Sequence, residues 1–147
     1  MTQSTMLKPV VDGFTFACQM DADRYRTLKQ MQARGEIKGF RAYPSYTLVK
    51  AYRKCPCCGK LSDEQEVCDL CGVETYASSG IKYYADFLVL ENDGCETIEE
   101  VSNSLALSHE FNLKKILYDQ LYSTPIRIVV DGVRYKKDVK GWRKEDA

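Results

Sequence analysis

The spacing of apolar positions changes period several times along the chain. Between residues 19 and 34, Ala22, Tyr25 and Leu28 recur every third residue, Met31 follows, and neither Gly nor Pro interrupts. That spacing predicts an amphipathic helix. Asp21 falls in its first turn, where an acid suits the helix dipole, and Gly35 stands just past its end as a cap. Residues 40–52 turn to strand-forming character with Tyr43, Tyr46, Leu48, Val49 and Tyr52, and Pro44 predicts a bend or a strand edge. Residues 81–90 are a run of aromatic and branched residues that predicts one strand. Asn92-Asp93-Gly94 predicts a hairpin turn, and residues 96–102 the returning partner. A second helix is predicted over 109–122. Ser108 caps it, Leu113, Ile116, Leu117 and Leu121 form its apolar stripe, and Lys114 and Lys115 lie near the stripe's edge. Pro125 blocks its continuation, and 126–130 has the pattern of a buried strand. Asp12-Gly13 and Asp131-Gly132 are turn signals, and residues 76–80 form a connector. The order helix, strand, insert, strand, strand, helix, strand predicts an α/β fold, a mixed sheet flanked by helices with a parallel crossover before residue 126.

The chain has 147 residues, enough for a single domain spanning 1–147 with its own core. No apolar run approaches the ~20 residues of a membrane helix. Met1 to Met6 lack the charged end and apolar stretch of a signal peptide, so an intracellular, cytoplasmic setting is expected. Formal net charge is zero, which by itself does not advertise a nucleic-acid binder. Charge is uneven, however: residues 133–147 carry six basic and three acidic groups. That basic tail is read as solvated, with phosphate contact as the alternative.

Cys55-Pro56-Cys57-Cys58-Gly59 and Cys68-Asp69-Leu70-Cys71-Gly72 each contain Cys-x-x-Cys-Gly, with nine residues between them. Each turn lets two thiolates converge on one ion, and the trailing Gly relieves the crowded turn. Four thiolates suit a closed tetrahedral zinc site, which is structural because no coordination position is left open. Cys55, Cys58, Cys68 and Cys71 are the expected ligands, in an insert spanning 53–80. Cys57 is the spare thiol, and disulfides are the alternative, without any sign of secretion to favour them. Cys18 and Cys95 are isolated. His109 is the sole histidine, which excludes paired-histidine chemistry, and no nucleophile elbow supports a Ser-His-Asp site.

The 81–102 hairpin carries the second candidate chemistry. Asp86 on one strand and Glu99 and Glu100 on the next bring carboxylates within a few ångströms. Such carboxylates repel unless something positive lies between them, and a hard divalent cation with oxygen ligands does that best. The plain alternative is an ordinary acidic strand surface.

Further residues carry a resemblance. Asp12-Gly13-Phe14, Asp21-Ala22-Asp23-Arg24-Tyr25, Tyr84-Ala85-Asp86-Phe87, Ile98-Glu99-Glu100-Val101 and Phe111-Asn112-Leu113-Lys114-Lys115 together resemble a family of small phage nuclease-like proteins. More distantly they resemble the phage Holliday-junction resolvases. Both belong to the PD-(D/E)xK, or restriction-endonuclease-like, superfamily. The resemblance covers about residues 10–130 apart from the cysteine segment, a zinc-ribbon or knuckle insert. It implies a restriction-endonuclease-like sheet and a homodimer. The family's helix acid falls on Asp21, the Asp of its Pro-Asp pair on Asp86 (with Ala85 for Pro), and the acid of its Glu-x-Lys element on Glu100. The lysine of that element falls on Ser102, a departure, since serine carries no charge to stabilise a transferring phosphoryl group. Lys114 or Lys115 on the next helix is the expected substitute, or the metal alone activates the water. Asp138-Val139-Lys140 looks like a displaced copy of the motif and is read as coincidence.

The leading expectation is therefore a Mg²⁺- or Mn²⁺-dependent phage DNA endonuclease acting on branched or recombining DNA in its bacterial host. Asp86 and Glu100, helped by the Val101 carbonyl, would hold the metal, with Asp21 and Lys114 as further catalytic groups. The alternatives are a catalytically degenerate nuclease fold that binds DNA or protein, for which Ser102 speaks, and a zinc-ribbon adaptor.

Overall fold

The computed structural model describes residues 7–145. Met1 to Met6, read above for a leader, and the last two residues of the basic segment lie outside them. A short hairpin opens the chain, β1 (Val10–Val11) and β2 (Phe14–Thr15), with Asp12 and Gly13 both at positive φ in its two-residue turn. Helix α1 spans Gln19–Ala33. It ends as the sequence predicts: Gly35, at φ 76°, donates its N–H to the Gln32 carbonyl, and the Glu36 N–H reaches the Met31 carbonyl. This pair of bonds satisfies carbonyls that the helix end would leave open.

The extended stretch after α1 starts earlier than expected and breaks twice, into β3 (Ile37–Ala42), β4 (Ser45–Val49) and β5 (Tyr52–Lys54). The first break falls at Tyr43-Pro44, where Pro44 predicts a bend. The small strands β6 (Leu61–Ser62) and β7 (Tyr76–Ser78) flank β5 in a three-stranded sheet. Residues 76–78 are thus a strand of the cysteine lobe rather than a connector. Gly80 then turns the chain at φ 75°, and a Cβ there would sit 2.2 Å from the Val49 carbonyl oxygen, so only glycine fits.

The predicted single strand over 81–90 is two strands. β8 (Ile81–Tyr84) pairs with β4, the chain bends at Ala85-Asp86, and β9 (Phe87–Glu91) enters the main sheet. Asp86 therefore stands in the bend, not within a strand. β9 and β10 (Glu96–Ser102) form the predicted hairpin, with Gly94 at φ 88°. Helix α2 spans His109–Leu121, and the Ser108 side chain accepts the Phe111 N–H as its cap. β11 (Ile126–Val130) runs parallel to β10, as the crossover requires.

The basic segment is not a solvated tail. It folds as β12 (Val133–Asp138) and β13 (Gly141–Lys144) and completes a six-stranded mixed sheet of order β13-β12-β11-β10-β9-β3. Tyr135 and Trp142 supply the inward contacts that the charge count hid.

The helices cover opposite faces. On one face α1 packs Ala22 and Leu28 against Phe16, Ile37, Phe87 and Val89. On the other, Phe111 and Tyr118 of α2 meet Tyr83, Ala85, Ile98, Ile126 and Ile128. The apolar stripe expected on α2 is thereby corrected: Leu113, Ile116 and Leu121 are exposed, and only Leu117 packs against the core. The aromatic side of the helix wins because Phe111, Tyr118 and Tyr122 offer larger surfaces, and Tyr46 and Tyr83 supply rings for them to meet. Among the described residues no helix is long and apolar enough to cross a membrane.

Candidate metal centre and acid cluster

The four cysteines expected to ligate zinc come together. Ligand atoms of Cys55, Cys58, Cys68 and Cys71 all lie within 4.8 Å of one another. Two matching turns build the site. Gly59 and Gly72 donate their N–H groups to the Cys55 and Cys68 carbonyls, while the Cys55 and Cys68 N–H groups bond the carbonyls of Lys60 and Val73. Lys60 reaches across to Asp69 at 2.6 Å and ties one turn to the other. The Cys58 and Cys68 sulfurs are 3.7 Å apart. A disulfide would need about 2.05 Å, whereas thiolates on a tetrahedral zinc with ~2.3 Å bonds stand about 3.8 Å apart. The N–H groups of Cys58 and Cys57 point at the Cys55 sulfur and bring its pKa down to about 6. The neighbouring Cys58 thiol and burial push Cys71 up, as expected where thiols crowd one another. The donor set fits a structural metal ion such as zinc, and Cys57 is the exposed spare.

The acids converge at the bend. In the β9–β10 register Phe87 faces Glu99, so Asp86 falls across from Glu100. Side chains alternate along β10: Glu99 points to the α1 face, and Glu100 and Ser102 to the α2 face. Asp86 Oδ2 accepts the Val101 N–H at 2.6 Å. Asp21, in the first turn of α1 and 3% exposed, accepts the Tyr43 hydroxyl at 2.7 Å. Glu100 Oε2 accepts the Tyr83 hydroxyl at 2.5 Å. Burial, with the charges of Glu100 and Asp21 beside it, pushes Asp86 up to about 8. Burial and Asp21 push Glu100 up to about 7, against the opposing pull of Tyr83 and Lys114. Burial among like charges favours the protonated form of both groups.

Among the described residues only the four thiolates have ligand atoms all within 4.8 Å of one another; the three carboxylates are less tightly gathered, and Tyr43 and Tyr83 each bind one of them. These tyrosines escaped the sequence reading. Tyr43 is the more telling: it sits at φ 54°, an unusual conformation for a bulky residue. Its hydroxyl also accepts the Ala17 N–H, and its own N–H bonds the Asp86 carbonyl at 2.8 Å. The one sequence signal was its place before Pro44.

Of the two helix lysines, Lys114 faces the acids. It lines a cleft of about 210 Å³ with Glu100, Tyr83 and Phe111, and pairs with Glu110 at 3.1 Å. Lys115 instead pairs with Asp119 and lies over the Trp142 ring. The Ser102 hydroxyl donates to the Ser104 carbonyl at 2.7 Å and so holds the loop before α2. Glu99, on the other face, is fully buried. It takes both ends of the Arg24 guanidinium at 2.7 Å, and Arg134 Nε at 2.7 Å. That makes it a structural acid, not part of the cluster.

A mixed α/β sheet, a four-cysteine lobe and a buried acid cluster at the sheet's central strands define the class of this protein. The chain belongs to the family described as "Protein of unknown function (DUF1064)", whose model matches residues 3–137. It is also similar to the proline–tRNA ligase of Synechococcus sp. (strain JA-3-3Ab), 43% identical over 47 residues. That stretch is 32% of this chain and only 8% of the ligase. No solved structure matches the chain.

Proposed function

We propose that the protein is a Mg²⁺- or Mn²⁺-dependent DNA endonuclease with a restriction-endonuclease-like core, acting on branched or recombining DNA in a phage-infected cell. The observation that carries the reading is the meeting of Asp21, Asp86 and Glu100, from one helix, one bend and one strand, in a buried cluster with Lys114 at its mouth. Asp86 and Glu100, with the Val101 carbonyl, would hold a hard divalent ion, which fits oxygen donors whose charge is otherwise uncompensated. Such an ion supplies an activated water at neutral pH and neutralises charge on the scissile phosphate. Asp21 would orient the water or hold a second ion. Lys114 would stand in for the lysine absent at Ser102, stabilising charge on the phosphate. The zinc lobe is a rigid insert between β4 and β8. A homodimer would supply the two cuts a branched junction needs, and Leu113, Ile116 and Leu121 offer it an apolar surface.

The test is nicking of plasmid and junction DNA with Mg²⁺ or Mn²⁺. Cleavage is expected from the wild type, and its loss in Asp86→Asn and Lys114→Ala with DNA binding retained. Undiminished cutting by Asp86→Asn would locate the chemistry elsewhere. One observation favours a binding protein as the second reading: the Ser102 hydroxyl is committed to the Ser104 backbone. Junction binding in EDTA without cleavage under any metal would decide for it, and Ser102→Lys would not restore cutting.

A further inference from the structure

The β12–β13 hairpin is longer than its attachment to the sheet. β12 pairs with β11 only through Val133, Arg134 and Tyr135, whereas its pairing with β13 runs from Tyr135 opposite Lys144 to Asp138 opposite Gly141. The distal half therefore pairs only within the hairpin, a two-stranded ribbon at the edge of the sheet. Trp142 anchors it, packing against the core with the Lys115 ammonium 5.7 Å from its ring centre.

The exposed cations concentrate on this ribbon. Lys136, Lys137, Lys140, Arg143 and Lys144 are all exposed. Among the described residues, only Arg143 of these five has an ion-pair partner, Asp138 at 3.6 Å. The cross-strand register distributes them. Lys136 and Arg143 stand directly opposite each other and share the face of Arg134. Lys137 and Lys144 share the face of Trp142, and Lys140 lies at the turn beside the fully exposed Val139. Like charges directly opposite on adjacent strands destabilise a sheet. An edge hairpin that keeps such a pair on its open face, with Lys140 at its turn and Lys137 and Lys144 exposed beside Trp142, is complementary to a polyanion laid against that face.

We propose that the distal β12–β13 ribbon enters the major groove of duplex DNA, its turn and the face opposite Trp142 leading and its exposed cations contacting the phosphates that wall the groove. That groove is about 12 Å wide in B-DNA and admits a two-stranded ribbon. The inference rests on DNA as the partner in the reading above, but not on cleavage. It also gives the uneven charge of a neutral chain a use: the steering field is carried by one edge element.

The test is binding of the full-length zinc-loaded protein to a short duplex, by fluorescence anisotropy in EDTA over a range of salt. Neutralising four cations together (Lys136→Gln, Lys140→Gln, Arg143→Gln, Lys144→Gln) is expected to make log affinity against log salt shallower, by ~0.9 per lost phosphate contact. Replacing the same lysines by arginine should keep the slope. If the fourfold variant does not fold, Lys140→Gln at the exposed turn carries the test, with a loss of ~0.9. Duplexes with bulky groups at pyrimidine C5 should bind more weakly, as should duplex RNA, whose major groove is too narrow. An unchanged slope, or equal affinity for blocked and unblocked duplexes, overturns the proposal. Wild-type cleavage with an unchanged slope would overturn the arm alone. A slope that falls in a protein that cuts nothing would uphold the arm and sink the nuclease.

Discussion

The Asp86 carboxylate accepts the Val101 N–H while two other acids face it from within a buried cluster. Its pKa in the folded protein is raised to about 8, so the folded state holds the proton more firmly than the unfolded chain does. Stability therefore falls as pH rises from about 4 towards 8, the reverse of a salt-bridged acid. Glu100, raised to about 7, adds to the same trend. Two outcomes are expected at this scale. Without divalent metal, Asp86→Asn should raise the melting temperature at pH 8 and leave it nearly unchanged at pH 5, where the carboxyl already carries its proton. Each kcal/mol relieved reads as about 2–4 °C in a chain of this size. The wild type should be stabilised by Mg²⁺ or Mn²⁺ much more at pH 8.5 than at pH 6, since protons compete for the same oxygens, and Asp86→Asn should lose that response. Calorimetric melts across pH would refute the cluster if the metal response were flat.

Between elements, Glu99 joins three parts of the fold: β10 carries it, α1 brings Arg24 and β12 brings Arg134. Removing one partner of a buried pair leaves a charge unpaired, at a cost of about 3–5 kcal/mol. Arg24→Leu should therefore lower the unfolding free energy by that much in denaturant titrations, and pairing it with Glu99→Leu should recover part of the loss. A surface-like effect below ~1 kcal/mol would mean Arg134 alone suffices. Ending the chain at Gly132 should abolish folding, because β12 and β13 lie within the main sheet; a cooperative melt of that fragment would contradict the topology. These elements also mark what the sequence could convey. Helix α1 and its Gly35 cap, the Ser108 cap, the 92–94 turn and the strand at 126–130 were legible because local period and turn chemistry specify them. The cysteine site was legible from spacing alone. The bend at Asp86 was not, since a single acid among strand-forming residues reads as one polar position of a continuous strand, and only the pairing of β8 with β4 forces the break. The C-terminal strands were hidden because lysines there mask an alternation completed by Tyr135 and Trp142. The inward face of α2 was misjudged because leucine periodicity outvoted three aromatics whose partners, Tyr46 and Tyr83, lie far away in sequence.

For the whole molecule, the cysteine lobe has little core of its own, since its exposed Leu61, Val67 and Leu70 bury little, and its four-cysteine cluster is suited to a structural metal ion. Purified protein should contain about one zinc per chain, bound by four thiolates. Cys68→Ser should lose it and unfold at least the lobe, since metal-binding energy there is folding energy. A metal-free protein with an unaltered melting curve would refute this. The lobe also lies inside the long excursion between β3 and β9, two strands that must pair to build the sheet. An ion bound there would clamp that excursion at its middle, and the pairing of β4 with β8 draws its ends towards the junction. Closing a shorter loop costs less entropy, so zinc should act on the tempo of folding as well as on its endpoint. Chains given zinc before dilution from denaturant should assemble the sheet faster than chains given it afterwards, although both arrive at the same native state.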